Sequence, residues 1–199
     1  MSWLLMRHPK VLLQEATCYG ASEVPIDTAH LHQCAQALAE QLPTQCLVIT
    51  SQRQRTQAVA QTLQRLRPDL PAWQVDARLN EMDFGQWEMT PWRLIPEDAV
   101  EAWSDDFAHH RFGGQECVAD VLARVHAAWA EYDKQQQHTP QPILWITHAG
   151  VINTLQYLRN APMGTWPNAR QWPSNSIAFG GIISINALAP KNPDVNHHF

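Results

Sequence analysis

Short apolar runs alternate along the chain with segments whose apolar residues recur at helical spacing. Runs at 3–6, 46–50 and 143–147 predict buried strands, and a weaker run lies at 73–75. Helical spacing predicts helices over 28–41 and 118–129, and further helices through Val59, Leu63 and Leu66 as far as Pro68, through Val100 and Trp103, and through Leu155 and Leu158. Strands that alternate with helices in this way predict an α/β fold, a three-layer α/β/α sandwich with a mostly parallel central sheet.

Two boundaries depend on local chemistry. Thr90-Pro91 is typical of a helix N-cap followed by proline at the first helical position, so a helix is expected to begin there. Residues 177–185 predict a last strand that Gly180-Gly181 interrupts. The chain has no internal repeat and no interdomain linker, which predicts a single domain over 1–188 and a flexible tail over 189–199, where proline and asparagine are frequent.

Composition excludes several classes of protein. With 199 residues, 45% hydrophobic and 17% charged, the chain is typical of one globular domain. A net charge of −5 without a basic stripe disfavours nucleic acid as a partner. No apolar run is long enough to span a membrane, and four scattered cysteines are typical of reduced core thiols. The expectation is a soluble cytoplasmic protein, a monomer or a homodimer.

Functional-looking side chains follow three of the predicted strands. Arg7 and His8 follow the strand at 3–6. Ser51 to Arg55 follow the strand at 46–50, and His148 follows the strand at 143–147. Because ligands bind beyond the carboxyl ends of parallel strands, these groups should share one rim. Arginines suit the three charged oxygens of a transferring phosphoryl group, a protonated His148 could be a third donor, and a neutral His8 could attack phosphorus. Glu81 lies on the loop after the weaker strand at 73–75, and it could protonate the leaving oxygen and later activate water.

The order of these motifs resembles the histidine phosphatase superfamily, the phosphoglycerate-mutase-like group. The shared segments are Arg7-His8, Ser51 to Arg55, residues 79–88 around Glu81, and Thr147-His148-Ala149-Gly150. The resemblance implies a phosphoglycerate-mutase-like fold and a metal-independent, cofactor-independent phosphatase that acts on a small phosphorylated metabolite. It also implies His8 as the phospho-acceptor, Glu81 as the proton donor, and Arg7, Arg55 and His148 as the phosphate pocket.

Within that superfamily the chain resembles the α-ribazole phosphatase branch, whose members remove a phosphate during assembly of cobalamin's lower ligand. Residues 82–88 and Gly113-Gly114-Gln115-Glu116 carry this closer resemblance, together with the segment 18–22. It implies a substrate loop, and the residues expected to bind substrate in addition to the phosphate pocket are Gln14, Tyr19, Gly20, Ser22 and Ala149.

The chain departs from the family pattern at several positions. Pro9 replaces the usual glycine after the catalytic histidine, and proline has no backbone N–H that could contact a phosphate. Gln52-Arg53 replaces Pro-Leu, so Arg53 competes with Arg55, although the downstream helix aligns Arg55 with the family arginine. Met89 stands where a glycine is common.

Several alternatives stay open. The chain could be a mutase that returns the phosphoryl group to its substrate, or a phosphate- or phosphohistidine-binding signalling module without catalysis. Glu81 could form a surface ion pair with Arg78, and Asp83 could assist Glu81, whereas Glu88 is interpreted as structural. Nine tryptophans are interpreted mostly as core residues, although some could line a cleft for an aromatic substrate such as a benzimidazole.

Overall fold

The structure is a computed structural model that describes residues 2–161, 165–173 and 177–186. Its strands are β1 Ser2–Arg7, β2 Thr17–Cys18, β3 Leu47–Thr50, β4 Gln74–Val75, β5 Thr90–Pro91, β6 Ile143–Thr147 and β7 Ile182–Asn186. Its α-helices are α1 Thr28–Gln41, α2 Gln54–Leu66, α3 Glu97–Asp105, α4 Val118–His138 and α5 Ala149–Asn160. The predicted tail over 189–199 lies outside the described residues.

Five strands form the central sheet in the order β4-β3-β6-β1-β7. The first four are parallel to one another, and β7 pairs with β1 in the antiparallel direction. Arg7 lies opposite Thr147, and Thr50 lies opposite Ile146. This register brings the carboxyl ends of β1, β3 and β6 to the same edge of the sheet, and it confirms the mostly parallel α/β fold.

Alternating side chains of the strands pack against helices on both faces of the sheet. Trp3 and Leu5 belong to the core that α4 and α5 cover, whereas Met6 belongs to the core that α1 and α2 cover. Each fully buried Leu or Ile contributes about 1.5–3 kcal/mol from apolar burial. The two cores on opposite faces of one sheet make the three layers that the alternation of strands and helices predicts.

The tryptophans are divided between these cores and the surface. Trp3, Trp129 and Trp145 are buried, and the ring of Trp3 stacks on Trp129 with centroids 4.0 Å apart. Four more are partly buried and pack against a hydrophobic cluster, namely Trp73, Trp87, Trp103 and Trp172. Trp92 and Trp166 are exposed. The interpretation of most tryptophans as packing residues therefore agrees with the structure.

Two of the predicted boundaries are wrong. Thr90-Pro91 forms β5, which pairs with β2 and is followed by only a short 3-10 helix at Trp92–Leu94, and the α-helix α3 begins at Glu97 after Pro96. The last strand does not begin at 177 but at Ile182, because Gly180 turns the chain with a φ of 73°. At Thr90-Pro91 the pairing with a distant segment overrode the local pattern, and at 177 the turn at Gly180 delayed the start of the strand.

Two remaining findings concern the thiols and the helices. All four cysteines are free and buried, which agrees with the prediction of core thiols. Within 2–161, 165–173 and 177–186 the structure contains no helix that is both long and apolar enough to cross a membrane.

Candidate active site

His8 and His148 meet at the carboxyl-end edge of the sheet. Their ring centroids lie 5.2 Å apart, and the backbone N–H of His8 donates to the carbonyl of Thr147 at 2.9 Å. Both residues are buried, with exposed fractions of 3% and 0%. The parallel pairing of β1 with β6 therefore brings together the two histidines that the sequence predicts at one edge of the sheet.

The ring of His8 is oriented for attack through Nε2. Its Nδ1 lies 2.8 Å from the carbonyl oxygen of Pro9, and because a carbonyl can only accept, Nδ1 carries the proton. Nε2 then keeps its lone pair. Burial, and next the positive charge of Arg55, lower the pKa of His8 to about 3, so the ring is neutral at physiological pH. Pro9 thus has no backbone N–H to donate to the site, but its carbonyl fixes the tautomer of His8.

Arg55 is the second residue of α2 and is completely buried beside His148. Its Nε donates to Nδ1 of His148 at 3.3 Å, while Nη1 donates to the carbonyl of Ser22 and Nη2 to that of Gly20. Arg53 points elsewhere, since its Nη1 donates to the carbonyl of Ala21 at 2.6 Å. The structure therefore places Arg55, and not Arg53, against the histidines.

His148 is held in one tautomer by its two neighbours. Because Nδ1 accepts from Arg55, the proton resides on Nε2, which donates to Oγ of Ser51 at 2.8 Å. Burial, followed by the positive charge of Arg55, lowers the pKa of His148 well below its ordinary value. His148 is therefore neutral in this structure, because a second buried positive charge beside Arg55 is unfavourable, and its role as a protonated donor to a bound phosphoryl group stays a prediction.

Arg7 and Tyr19 complete the lining of the site. The guanidinium carbon of Arg7 lies 3.9 Å above the ring of Phe179, and its Nη1 donates to the carbonyl of Ile177 at 2.8 Å. Nε of Arg7 is buried, and no hydrogen-bond partner for it occurs among the described residues. The ring of Tyr19 packs near Arg55, with the guanidinium carbon 5.2 Å from its centroid. Both guanidinium groups lie close enough to His8 to act electrostatically on its ring.

Glu81 lies beside this cluster, with its carboxylate held by backbone amides. Met82 N–H donates to Oε1 at 3.1 Å, and Gly150 N–H donates to Oε2 at 3.0 Å. A Cβ at position 150 would come within 2.2 Å of Oε1, so a larger residue there would displace the Glu81 carboxylate.

The hydrogen bonds of its neighbours contradict one open alternative for Glu81, the ion pair with Arg78, whereas assistance from Asp83 stays a prediction. Arg78 binds Asp76 and Glu131 at 2.7 and 2.8 Å, so the alternative of a Glu81–Arg78 ion pair is wrong. Oδ1 of Asp83 accepts from Gly85 N–H at 2.8 Å, which commits that side chain to the local turn.

Glu88 anchors the loop at residues 20–22 through the backbone N–H groups of that loop. Its carboxylate accepts four backbone N–H groups at 2.9–3.1 Å, those of Gly20, Ala21, Ser22 and Phe84. Although burial opposes the charge, the hydrogen bonds from Ser22, Ala21, Gly20 and Phe84 hold the pKa of Glu88 below its ordinary value. The interpretation of Glu88 as a structural residue agrees with these bonds.

The structure assembles most of the predicted site and adds residues to it. Ala149 begins α5 directly after His148, whereas Gln14 is exposed, and no hydrogen bond between described residues joins its side chain to the cluster. Ser51 and Gly150 were part of the motifs but were given no role. The part of the chain that the structure describes contains no group of three or more His, Cys, Asp or Glu side chains placed to hold a metal ion.

Comparison with known proteins identifies the family. The model of the histidine phosphatase superfamily (branch 1) matches residues 3–178. The adenosylcobalamin/α-ribazole phosphatase of Escherichia coli K12 is 36% identical over 112 residues, which are 55% of this chain and 53% of that protein. The match thus spans about half the length of that relative.

Solved structures extend the comparison over nearly the whole fold. The α-ribazole phosphatase of Shigella flexneri superimposes with a TM-score of 0.74 and 27% identity, covering 94% of this chain and 90% of that one. Mycobacterial hydrolase 2 shares the fold with a TM-score of 0.75 at 21% identity, over 92% of this chain and 80% of that one. The chain belongs to the histidine phosphatase superfamily, as the order of its motifs predicts.

Proposed function

We propose that the protein hydrolyses phosphate monoesters through a phosphohistidine formed on His8. The observation that carries the proposal is a buried, neutral imidazole whose Nδ1 is bound to the carbonyl of Pro9, beside the guanidinium groups of Arg7 and Arg55. A neutral ring can attack phosphorus, and guanidinium groups stabilise the charge that its oxygens carry in the transition state. Membership of the superfamily supports a phosphatase.

The reaction requires two displacements. In the first, the lone pair of His8 Nε2 forms a bond to phosphorus while the bond to the leaving oxygen breaks, and protonated Glu81 transfers its proton to that oxygen. In the second, the Glu81 carboxylate removes a proton from water, the water oxygen bonds to phosphorus, and the P–N bond breaks to restore neutral His8. Glu81 returns to its protonated form, so protons and electrons balance over one cycle.

The oriented histidines explain why both steps could proceed at one site. Attack converts neutral His8 into a cationic phosphoimidazolium, whose Nδ1–H still donates to Pro9. His148 donates to Ser51 in the unliganded site, and a bound phosphate dianion would favour the protonated form of this ring. Ser51 and Arg55 therefore act by positioning His148 next to the phosphoryl group.

For the substrate we propose a small phosphorylated metabolite, with α-ribazole 5′-phosphate as the specific candidate. Support comes from the two relatives named for that activity, at 36% and 27% identity. A compact site between residues 20–22 and Glu81 also suits a small ester better than a polymer.

The decisive experiment is a phosphate-release assay with α-ribazole 5′-phosphate and p-nitrophenyl phosphate, run for the wild type and for His8→Ala. The wild type should release inorganic phosphate, and brief acid-free quenching should trap one acid-labile phosphate on His8. The variant should lose at least about 10³-fold in kcat, since a nucleophile is essential. Full activity of His8→Ala would refute the mechanism, an isomeric ester in place of free phosphate would indicate a mutase, and binding without turnover would indicate a signalling module.

A further inference from the structure

A chain of buried hydroxyl groups continues from the ring of His148 into helix α2. Nε2 of His148 lies 2.8 Å from Oγ of Ser51, and Oγ of Ser51 lies 2.8 Å from Oγ1 of Thr56. All three residues have an exposed fraction of 0%. Thr56 is the third residue of α2 and has no part in the two displacements, so its hydroxyl is a buried polar group that the reaction as described does not use.

The direction of each hydrogen bond in this chain follows from counting donors and acceptors. Oγ of Ser51 accepts the backbone N–H of Arg53 at 3.1 Å and the Nε2–H of His148. Since a hydroxyl oxygen has two lone pairs, both are then occupied, and the Ser51 proton is left to donate. Its acceptor is Oγ1 of Thr56. Thr56 in turn donates to the carbonyl of Arg53 at 2.8 Å, so every group in the chain has a partner.

The reversed arrangement fails at the other end of the His148 ring. If Ser51 donated its proton to Nε2, the neutral ring would carry its own proton on Nδ1. Nδ1 lies 3.3 Å from Nε of Arg55, and a guanidinium nitrogen can only donate. Two N–H groups would then face each other at a buried site. Arg55 and Thr56 therefore require the same tautomer from opposite ends of the ring.

We propose that Thr56 is a positioning residue that keeps the proton of the Ser51 hydroxyl turned away from His148, so that Ser51 can only accept from Nε2. The inference rests on the proposed function, because its consequence for catalysis concerns the phosphoryl group. With Nε2–H bound to Ser51, a proton that the ring takes up from solvent when phosphate binds can only go to Nδ1. That proton then lies on the same side of the ring as Arg55, where both cationic groups can donate to one phosphoryl group.

The direct test is the tautomer of His148 in the unliganded protein near neutral pH, measured by two-bond ¹H–¹⁵N correlation spectra of the imidazole rings. His148→Gln removes one set of signals and thereby assigns them. The wild type and Thr56→Ser, which keeps the hydroxyl, should show the proton on Nε2. Thr56→Val, which keeps the shape without the hydroxyl, should show a mixture of the two tautomers, because the Ser51 proton has lost its acceptor.

Initial rates on p-nitrophenyl phosphate show whether the tautomer matters for turnover. Thr56→Val should lose about 3- to 10-fold in kcat/KM, as expected for one neutral hydrogen bond, and Thr56→Ser less than about 2-fold. Thr62→Val is the matched control, because among the described residues Thr62 is also buried in α2 but its hydroxyl does not bond to Ser51 or His148. It should leave the spectrum and the rate unchanged. If a low urea midpoint shows that Thr56→Val folds poorly, Thr56→Ala repeats the comparison without an added methyl group.

The outcomes separate the inference from the proposed function. A wild-type His148 with its proton on Nδ1, or a Thr56→Val spectrum identical to that of the wild type, would overturn the inference while leaving the phosphatase intact. A Thr56→Ser as slow as Thr56→Val would do the same, because the hydroxyl would then have no role of its own. A wild type that shows the expected tautomer but releases no phosphate would overturn the proposed function and leave the direction of the hydrogen bonds unchanged.

Discussion

Glu88 and Arg55 hold the same three-residue loop, residues 20–22, through opposite backbone groups. The carboxylate of Glu88 accepts the three N–H groups of the loop, and the guanidinium of Arg55 donates to the carbonyls of Gly20 and Ser22. Arg55 in turn donates to His148. Glu88 therefore holds the loop, the loop holds Arg55, and Arg55 holds the ring of His148 next to the nucleophile.

Because of this series of hydrogen bonds, we predict that Glu88→Gln lowers both the stability and the catalytic rate of the protein. An amide has one oxygen and an NH₂ group, so the N–H groups on one side of the carboxylate lose their acceptor. The free energy of unfolding should fall by about 2–4 kcal/mol. Because Arg55 loses its fixed position, kcat/KM should fall at least about 10-fold, and inorganic phosphate should become a weaker competitive inhibitor.

Urea unfolding and initial-rate kinetics measure both effects. Glu101→Gln makes the same charge change at an exposed position of α3 and is the control that should match the wild type. An unfolding midpoint of Glu88→Gln equal to that of the wild type would show that the four hydrogen bonds are not important.

The two arginines of the 51–55 segment should respond differently to the same substitution. Arg55→Lys keeps a charge but cannot donate to His148 and to two carbonyls at once, so we expect a loss of about 10²-fold in kcat. Arg53→Lys removes only a bond to the carbonyl of Ala21, and we expect a change below about 3-fold. Steady-state kinetics on one aryl phosphate would check this, and the reverse order of effects would move the phosphate-binding role to Arg53.

Gly150 is predicted to act through Glu81. In Gly150→Ala the new methyl would lie 2.2 Å from Oε1 of Glu81, so the carboxylate must move away from the site. Turnover of an alkyl phosphate should fall by about 10²- to 10³-fold, close to the loss in Glu81→Gln. Turnover of p-nitrophenyl phosphate should fall much less, because its leaving group departs without a proton donor.

A double-variant cycle separates this effect from general damage to α5. Alanine is a better helix former than glycine, so helix propensity predicts no loss of stability from Gly150→Ala. If both changes affect the same carboxylate, the double variant should be no slower than the worse single variant. Fully multiplicative losses would mean that Gly150 contributes in some other way.

The sequence predicts the groups at strand ends better than the contacts between them. Arg7, His8 and His148 could be assigned because each directly follows a buried apolar run, and parallel strands end at one edge. The bond between Ser51 and His148 could not, since it depends on the register of β3 against β6 and on one tautomer.

The errors and omissions arose where distant segments decide a local structure. Strands β2 and β5 have two residues each, too few for any periodicity, so the capping pattern at Thr90-Pro91 suggested a helix instead. Glu88 binds amides that lie 66–68 residues earlier in the chain, a relationship that no local pattern contains. The neutral state of His148 likewise depends on its burial beside Arg55, which no local motif contains.

The neutral state of His8 predicts a stability that decreases in acid. Its pKa is about 3 in the folded protein against an ordinary value of 6.5, so between these values the unfolded chain binds a proton that the folded chain does not. Stability is therefore fully present above about pH 6.5 and is lost as the pH falls, by roughly 2 kcal/mol from this residue between pH 7 and pH 5. Urea unfolding of the wild type and His8→Asn at both pH values isolates the contribution, because His148 and the carboxylates remain in both proteins. The variant should lose less stability on acidification, and parallel losses in the two proteins would mean that His8 is charged or exposed in the fold.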